Sequence, residues 1–128
     1  MAAAVADYTP VRTAKTKTKK THKTLTVKLK PTTDILKWAG KHKKKNQMVI
    51  GFALEDTNIR TQAAKKLKDK NLDMIIANTP AAIGADKSTI QIKTVNSGWF
   101  KIRHAPKTII AKKIISLAGR EILLKQRY

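Results

Sequence analysis

Two short segments of this chain are almost continuously apolar: Met48-Val49-Ile50-Gly51-Phe52-Ala53-Leu54 and Leu72-Asp73-Met74-Ile75-Ile76-Ala77-Asn78. Runs of this length, without alternation, predict strands buried on both faces over 48–54 and 72–78. Between them, Thr61 to Lys70 carries Ala63, Ala64 and Leu67 at helical spacing and predicts a helix. Upstream, Leu25 to Leu29 alternates apolar with polar residues, the pattern of a half-buried strand that Pro31 stops. Thr32 and Thr33 then offer an N-cap to a helix with Asp34 in its first turn, ended by Gly40 and the run Lys41 to Lys45. Ser88 to Val95 and Trp99 to Arg103 flank Asn96-Ser97-Gly98, which reads as an antiparallel hairpin. Pro106 opens a last helix with Ile110, Ile114, Leu117 and Ala118 on one face, and Gly119 marks a break or kink before a basic tail. At the front, residues 2–6 read as a short alanine-rich strand, and residues 8–24 as a Thr/Lys-rich loop.

Strands alternating with helices imply an α/β sheet. The expected architecture is a partial Rossmann-like, three-layer α/β/α sheet with a C-terminal β-hairpin and helix. It forms one domain over residues 1–118, with a lysine-rich loop at about 9–24 and a basic tail at 119–128. The strands near 2–6, 48–54 and 72–78 are expected side by side. A chain that opens almost inside its first strand is expected to lack what should precede that strand.

A length of 128 residues and 41% apolar content suit one folded domain. No apolar run spans a bilayer and no signal-peptide pattern opens the chain, so a cytoplasmic location is expected. The absence of cysteine excludes disulfides, thiolate metal sites and a cysteine nucleophile. The net charge of +20 implies an anionic partner. Because most of that charge is lysine, a hydrated point charge suited to phosphate, it argues for an anion more firmly than for DNA.

The candidate chemistry begins with Ala-Ala-Val-Ala-Asp-Tyr at 3–8. Asp7 stands at a strand end, and Lys17-Thr18-Lys19-Lys20 follows with no acid between. One carboxylate facing several mobile ammonium groups suits a polyphosphate carrying a sugar; a solvated turn acid and a solvated basic loop are the plainer readings. Lys66 and Lys70 share a helix face, where they repel unless an anion lies between them. Phe52 is core by default. His22, His42 and His104 lack metal-ligand spacing and read as surface residues.

Four segments together resemble the C-terminal half of phosphopantothenate–cysteine ligase, the coenzyme A pathway enzyme catalogued with the DNA/pantothenate metabolism flavoproteins. They are residues 3–8 with Lys17 to Lys20; Lys-Pro-Thr-Thr-Asp-Ile-Leu at 30–36; Val-Ile-Gly-Phe-Ala-Leu at 49–54 followed by Glu55; and residues 65–78. Order and spacing agree over roughly residues 1–95, and more loosely to about 118. The family joins 4′-phosphopantothenate to cysteine. Its bacterial members activate the carboxylate with CTP as an acyl-cytidylate, and eukaryotic relatives use ATP. The resemblance implies nucleotide contacts at Met1, Ala2, Ala3, Asp7, Thr33, Asp34, Ile35, Leu36 and Phe52, phosphate contacts at Lys66 and Lys70, and a catalytic, nucleotide-binding loop lysine at Lys17. It implies Mg2+ carried by CTP and no metal held by the protein alone. FMN belongs only to the decarboxylase half of fused relatives. Thr32-Thr33-Asp34-Ile35 stands where members often carry Asn-Pro-Asp-Ile, and a glycine-rich stretch is shortened to Gly84-Ala85-Asp86. The family's N-terminal half, with its glycine-rich nucleotide loop, is not among these residues.

The expected partners are therefore a nucleoside triphosphate, 4′-phosphopantothenate and cysteine, with an N-terminal-half chain or a second copy completing the site. The chain alone is expected to be an incomplete ligase. Two alternatives stand beside it: a small basic nucleic-acid-binding protein, and a fragment without catalysis. The first accounts for the charge but not for two buried strands, and aromatics are only 5%, with none interleaved among the lysines as a stacking platform requires.

Overall fold

The computed structural model describes residues 5–20 and 24–126. The chain divides into two compact units, with the boundary between Ile35 and Leu36.

In the first unit, β1 (Tyr8–Pro10) pairs antiparallel with β2 (Leu29–Pro31), Thr9 opposite Lys30. The ladder is extended by Thr32 N donating to Asp7 O at 2.8 Å and Val11 N donating to Lys28 O at 3.0 Å. The expected strand at 2–6 lies mostly outside the described residues; Val5 and Ala6 are not in a strand, and pairing starts at Tyr8. The strand expected over Leu25 to Leu29 begins only at Leu29, and Leu25 and Val27 are exposed. Alternation buries one face only where another layer covers it, and none of the described residues of this unit is buried.

The second unit holds a four-stranded sheet in the order β3 (Ile50–Leu54), β4 (Met74–Asn78), β5 (Lys87–Thr94), β6 (Phe100–Pro106). Its helices are α1 (Ile35–His42, entering from the unit boundary), α2 (Ile59–Asp69) and α3 (Lys107–Gln126). β3 and β4 are parallel, joined through α2; β4, β5 and β6 run antiparallel in turn. Neighbouring residues of β4 face opposite ways, as a pleated strand requires. Met74 and Ile76 join Ile90, Ile92, Ile110, Ile114 and Ala118 in a core under α3. Ile75 and Ala77 join Ala53, Ala63, Leu67 and Leu72 in a second core, against which Leu36 of α1 packs. The sheet is thus covered on both faces, and the expected α/β architecture with a C-terminal hairpin and helix is present.

Three local differences have physical causes. Gly40 lies inside α1, which ends at His42, within the basic run. A Cβ at Gly40 would lie 1.8 Å from Lys70 O, so glycine permits backbone contact there, and Asn71 Nδ2 donates to Gly40 O at 2.8 Å. Gly119 does not break α3, and residues 119–126, expected as a tail, complete the helix. Ile114, Ala118 and Glu121 are buried around it, and that packing outweighs glycine's poor helix propensity. In β6 a bulge sets Arg103 and His104 against Thr89; His104 takes a φ of 42° and its amide donates to Thr89 Oγ1 at 3.0 Å.

Candidate functional site

In open α/β sheets ligands lie beyond the carboxyl ends of the parallel strands. Here those ends are Leu54 of β3 and Asn78 of β4, tied by Glu55 N donating to Asn78 O at 3.0 Å. Phe52, the central residue of β3, has 69% of its surface exposed, and Leu54, at the carboxyl end on the same face, is 48% exposed. The default core reading of Phe52, and burial of 48–54 on both faces, are therefore corrected. Gly51 and Ala53 are buried against the α1–α2 layer, whereas on the other face of β3 only Ile50 packs on the core under α3. A large aromatic left exposed in the middle of β3 offers a flat apolar surface to a base or sugar.

Lys66 of α2 reaches back to this end. Its Nζ lies 2.6 Å from Glu55 Oε1 in an ion pair. The lysine side chain is 41% exposed and the glutamate 15%. Repulsion on the α2 face is thus relieved at Lys66 by a protein carboxylate. Glu55 was not singled out in the sequence, although its place directly after an apolar strand was a signal for a strand-end acid. Lys70 lies a turn farther on, at the C-cap of α2 near the start of β4. Lys66 and Lys70 thus sit one helical turn apart, with Lys66 turned to Glu55.

The remaining candidates of this unit and the first unit are placed as follows. Leu36 is half-buried and packs on the core beneath α2. Thr33, Asp34 and Ile35 are exposed; α1 begins at Ile35, so Asp34 precedes its first turn rather than lying within it. Thr32 Oγ1 is buried without a hydrogen-bond partner. Asp7 is exposed just before β1, and its backbone carbonyl, not its carboxylate, holds the ladder. Lys17, Lys19 and Lys20 are exposed on a segment outside helix and strand. Met1, Ala2 and Ala3 lie outside the described residues. His42 and His104 are exposed, while His22 lies outside the described residues. Among the described residues no group of three or more His, Cys, Asp and Glu side chains gathers to hold a metal.

The opposite end of the sheet carries a different cluster. Asp73, directly before β4, is 3% exposed. Its Oδ2 accepts from Val49 N at 2.7 Å, and its Oδ1 pairs with Lys43 at 2.9 Å and with Lys125 of α3. Burial works against its ionisation, but the Lys125, Val49 and Lys43 interactions outweigh burial and hold the carboxyl below the ordinary aspartate range. Asp73 was read as one polar position in an apolar strand; its role depends on α3, far away in sequence.

Comparison with known proteins agrees with this architecture. Residues 1–120 match the DNA/pantothenate metabolism flavoprotein C-terminal domain. The chain is 42% identical over 116 residues to the coenzyme A biosynthesis bifunctional protein CoaBC of Bacillus subtilis (strain 168), covering 88% of this chain and 27% of that protein. It is 41% identical over 125 residues to a cysteine/cysteine sulfinic acid decarboxylase of an unknown prokaryotic organism, covering 91% of this chain and 35% of that one. A crystal structure of the C-terminal domain of CoaBC superposes with a TM-score of 0.68 at 33% identity, covering 97% of this chain and 53% of that one. The chain thus spans about a third or less of these curated relatives and about half of the solved domain. With the family match running through both units, the chain belongs to the DNA/pantothenate metabolism flavoprotein C-terminal domain family.

Proposed function

We propose that this chain is the triphosphate-facing part of a ligase that joins 4′-phosphopantothenate to cysteine through an acyl-cytidylate formed from CTP. The observation that carries this reading is the carboxyl end of β3, where Lys66, 41% exposed, is held by the single carboxylate of Glu55 directly after the strand; Phe52, 69% exposed, lies on the other face of β3. Phosphate can join Glu55 at Lys66, because the lysine side chain is 41% exposed and an ammonium has three donors. Phe52 gives the base or ribose an apolar wall; in the first unit, the family pattern assigns Asp7 a ribose hydroxyl.

In the activation step a carboxylate oxygen of phosphopantothenate forms a bond to the α-phosphorus, and pyrophosphate leaves. Charge builds on the α-phosphate oxygens. The family pattern assigns to Lys17, on an exposed segment of the first unit, the role of a cation that acts more strongly on the transition state than on the bound nucleotide. The cysteine amine then attacks the acyl carbon, CMP leaves and the amide forms. Mg2+ arrives with the triphosphate, since it is ordinarily held by substrate phosphates with one or two carboxylates. The groups that grip phosphopantothenate are assigned to sequence that relatives possess beyond the matched portion, on the same chain or a partner.

The test is pyrophosphate release from CTP and phosphopantothenate, with and without cysteine. It compares the 128-residue chain with a fusion carrying a related N-terminal half. Turnover in the fusion, reduced on the order of a hundredfold by Lys17→Gln and nearly absent from the chain alone, is the expected result. A fusion that folds and binds CTP yet releases no pyrophosphate contradicts it.

A further inference from the structure

The cluster around Asp73 opens onto a cleft of about 700 Å3, in the size range of small-molecule sites. Lys43, Lys44 and Lys45 form its basic side together with Lys125, and Val95 and Leu124 form an apolar wall. The cleft adjoins the segments before β3 and β4 and after β5, the end of the sheet away from Phe52. Five residues of strand separate the two ends, about 17 Å.

Two of these lysines are already fixed. Lys43 gives one ammonium proton to Asp73 and one to Asn71 O at 2.7 Å. Lys125 gives one to Asp73 and one to Gln47 O at 3.0 Å. An ammonium has three donors, so each retains one. Their rotamer entropy has been lost in folding, so an anion that binds them need not lose it again. Lys44 and Lys45 are exposed and bring two further charges to the same wall. Asn96, also in the lining, is held in place by donating to the buried Glu121 at 2.7 Å. The carboxylates of Asp73 and Glu121 balance two of the four cations. Solvent alone would account for the lysines, but Val95 and Leu124 remain 55% and 42% exposed beside them.

We infer that this cleft binds a soluble phosphate monoester, its phosphate among Lys43, Lys44, Lys45 and Lys125 and its apolar arm against Val95 and Leu124. Lysine suits phosphate as a point charge, and no aromatic side chain lines the cleft to stack a base. The site is separate from the strand ends assigned to the triphosphate and does not depend on that assignment.

The probe is hexyl phosphate, compared with inorganic phosphate, in a titration of the 128-residue chain followed by backbone amide shifts. Shifts are expected at residues 43–45, 95–96 and 124–125, and hexyl phosphate should bind about tenfold more tightly than inorganic phosphate, equivalent to burying a few methylenes partly. Lys44→Gln with Lys45→Gln should weaken it about tenfold, and Lys66→Gln should leave it unchanged. Leu124→Ser should weaken hexyl phosphate while sparing inorganic phosphate, a readout that a misfolded variant would not give. Equal affinity for the two probes overturns the proposal, as do shifts confined to residues 52–55 and 66. Vesicles containing phosphatidic acid supply the last arm. Binding to them without binding to hexyl phosphate would assign the cleft to a membrane surface and overturn it.

Discussion

At one end of the four-stranded sheet Asp73, 3% exposed, takes a backbone amide and two lysines; at the other, Glu55 pairs with Lys66 alone, and that lysine is 41% exposed. The same two kinds of group do different work because their surroundings differ. A buried carboxylate with its oxygens engaged cannot lose its partners without leaving an uncompensated charge. A lysine 41% exposed can take a second anion beside its carboxylate, because its ammonium has three donors. The first arrangement ties α3 and the segment after α1 to the start of β4. The second leaves a cation available where ligands of such sheets bind.

Asp73→Ala should break the comparison most severely. It leaves Lys43 and Lys125 facing one another and the Val49 amide without its acceptor, and should cost about 3 kcal/mol in urea denaturation. The pH dependence carries the same signature. The folded-state pKa of Asp73 lies below its ordinary 3.8, so its stabilisation is fully present above that value. It is lost as pH falls below 3.8 through the folded value, and Asp73→Asn should flatten that part of the stability curve. Glu55→Gln keeps an acceptor for Lys66 and should cost about 1 kcal/mol, and it should tighten triphosphate binding by a few-fold because Lys66 no longer has a competing anion. A loss of stability as large as that of Asp73→Ala would erase the distinction between the two ends. Phe52→Ala should change stability by no more than about 0.5 kcal/mol, since the ring is mostly exposed, while weakening nucleotide binding. Gly119→Ala gives a reference away from both ends: a Cβ there meets nothing within 4 Å, so α3 should gain about 0.5–1 kcal/mol by thermal denaturation.

The strands β3 and β4 were legible because continuous apolar runs have one common use in an α/β chain, and the hairpin because Asn96-Ser97-Gly98 interrupts two β-rich runs. Phe52 was not legible as an exposed residue. Hydropathy shows that a run is apolar but not whether a layer covers both of its faces, and α3 covers only the Ile50 part of β3. Gly40 and Gly119 both looked like helix endings. One is a backbone contact with Lys70 and the other lies in open space, and sequence distinguishes neither because the difference is in distant neighbours. Lys66 was found by resemblance, but Glu55 as its partner required the turn between β3 and α2 to be seen. Asp73 was hidden for the same reason: Lys125 lies 52 positions away.

The central claim is that the carboxyl end of β3 receives a nucleoside triphosphate. Calorimetric titration of CTP into the chain at two ionic strengths tests it most directly, alongside Lys66→Gln, Phe52→Ala and the Lys44→Gln, Lys45→Gln double variant. The account predicts binding that weakens steeply with salt, falls about tenfold in Lys66→Gln and several-fold in Phe52→Ala, and is unchanged in the double variant, consistent with about 1–2 kcal/mol from a charge-assisted contact. CTP affinity that is indifferent to Lys66 and Phe52, or that follows Lys44 and Lys45 instead, would contradict it.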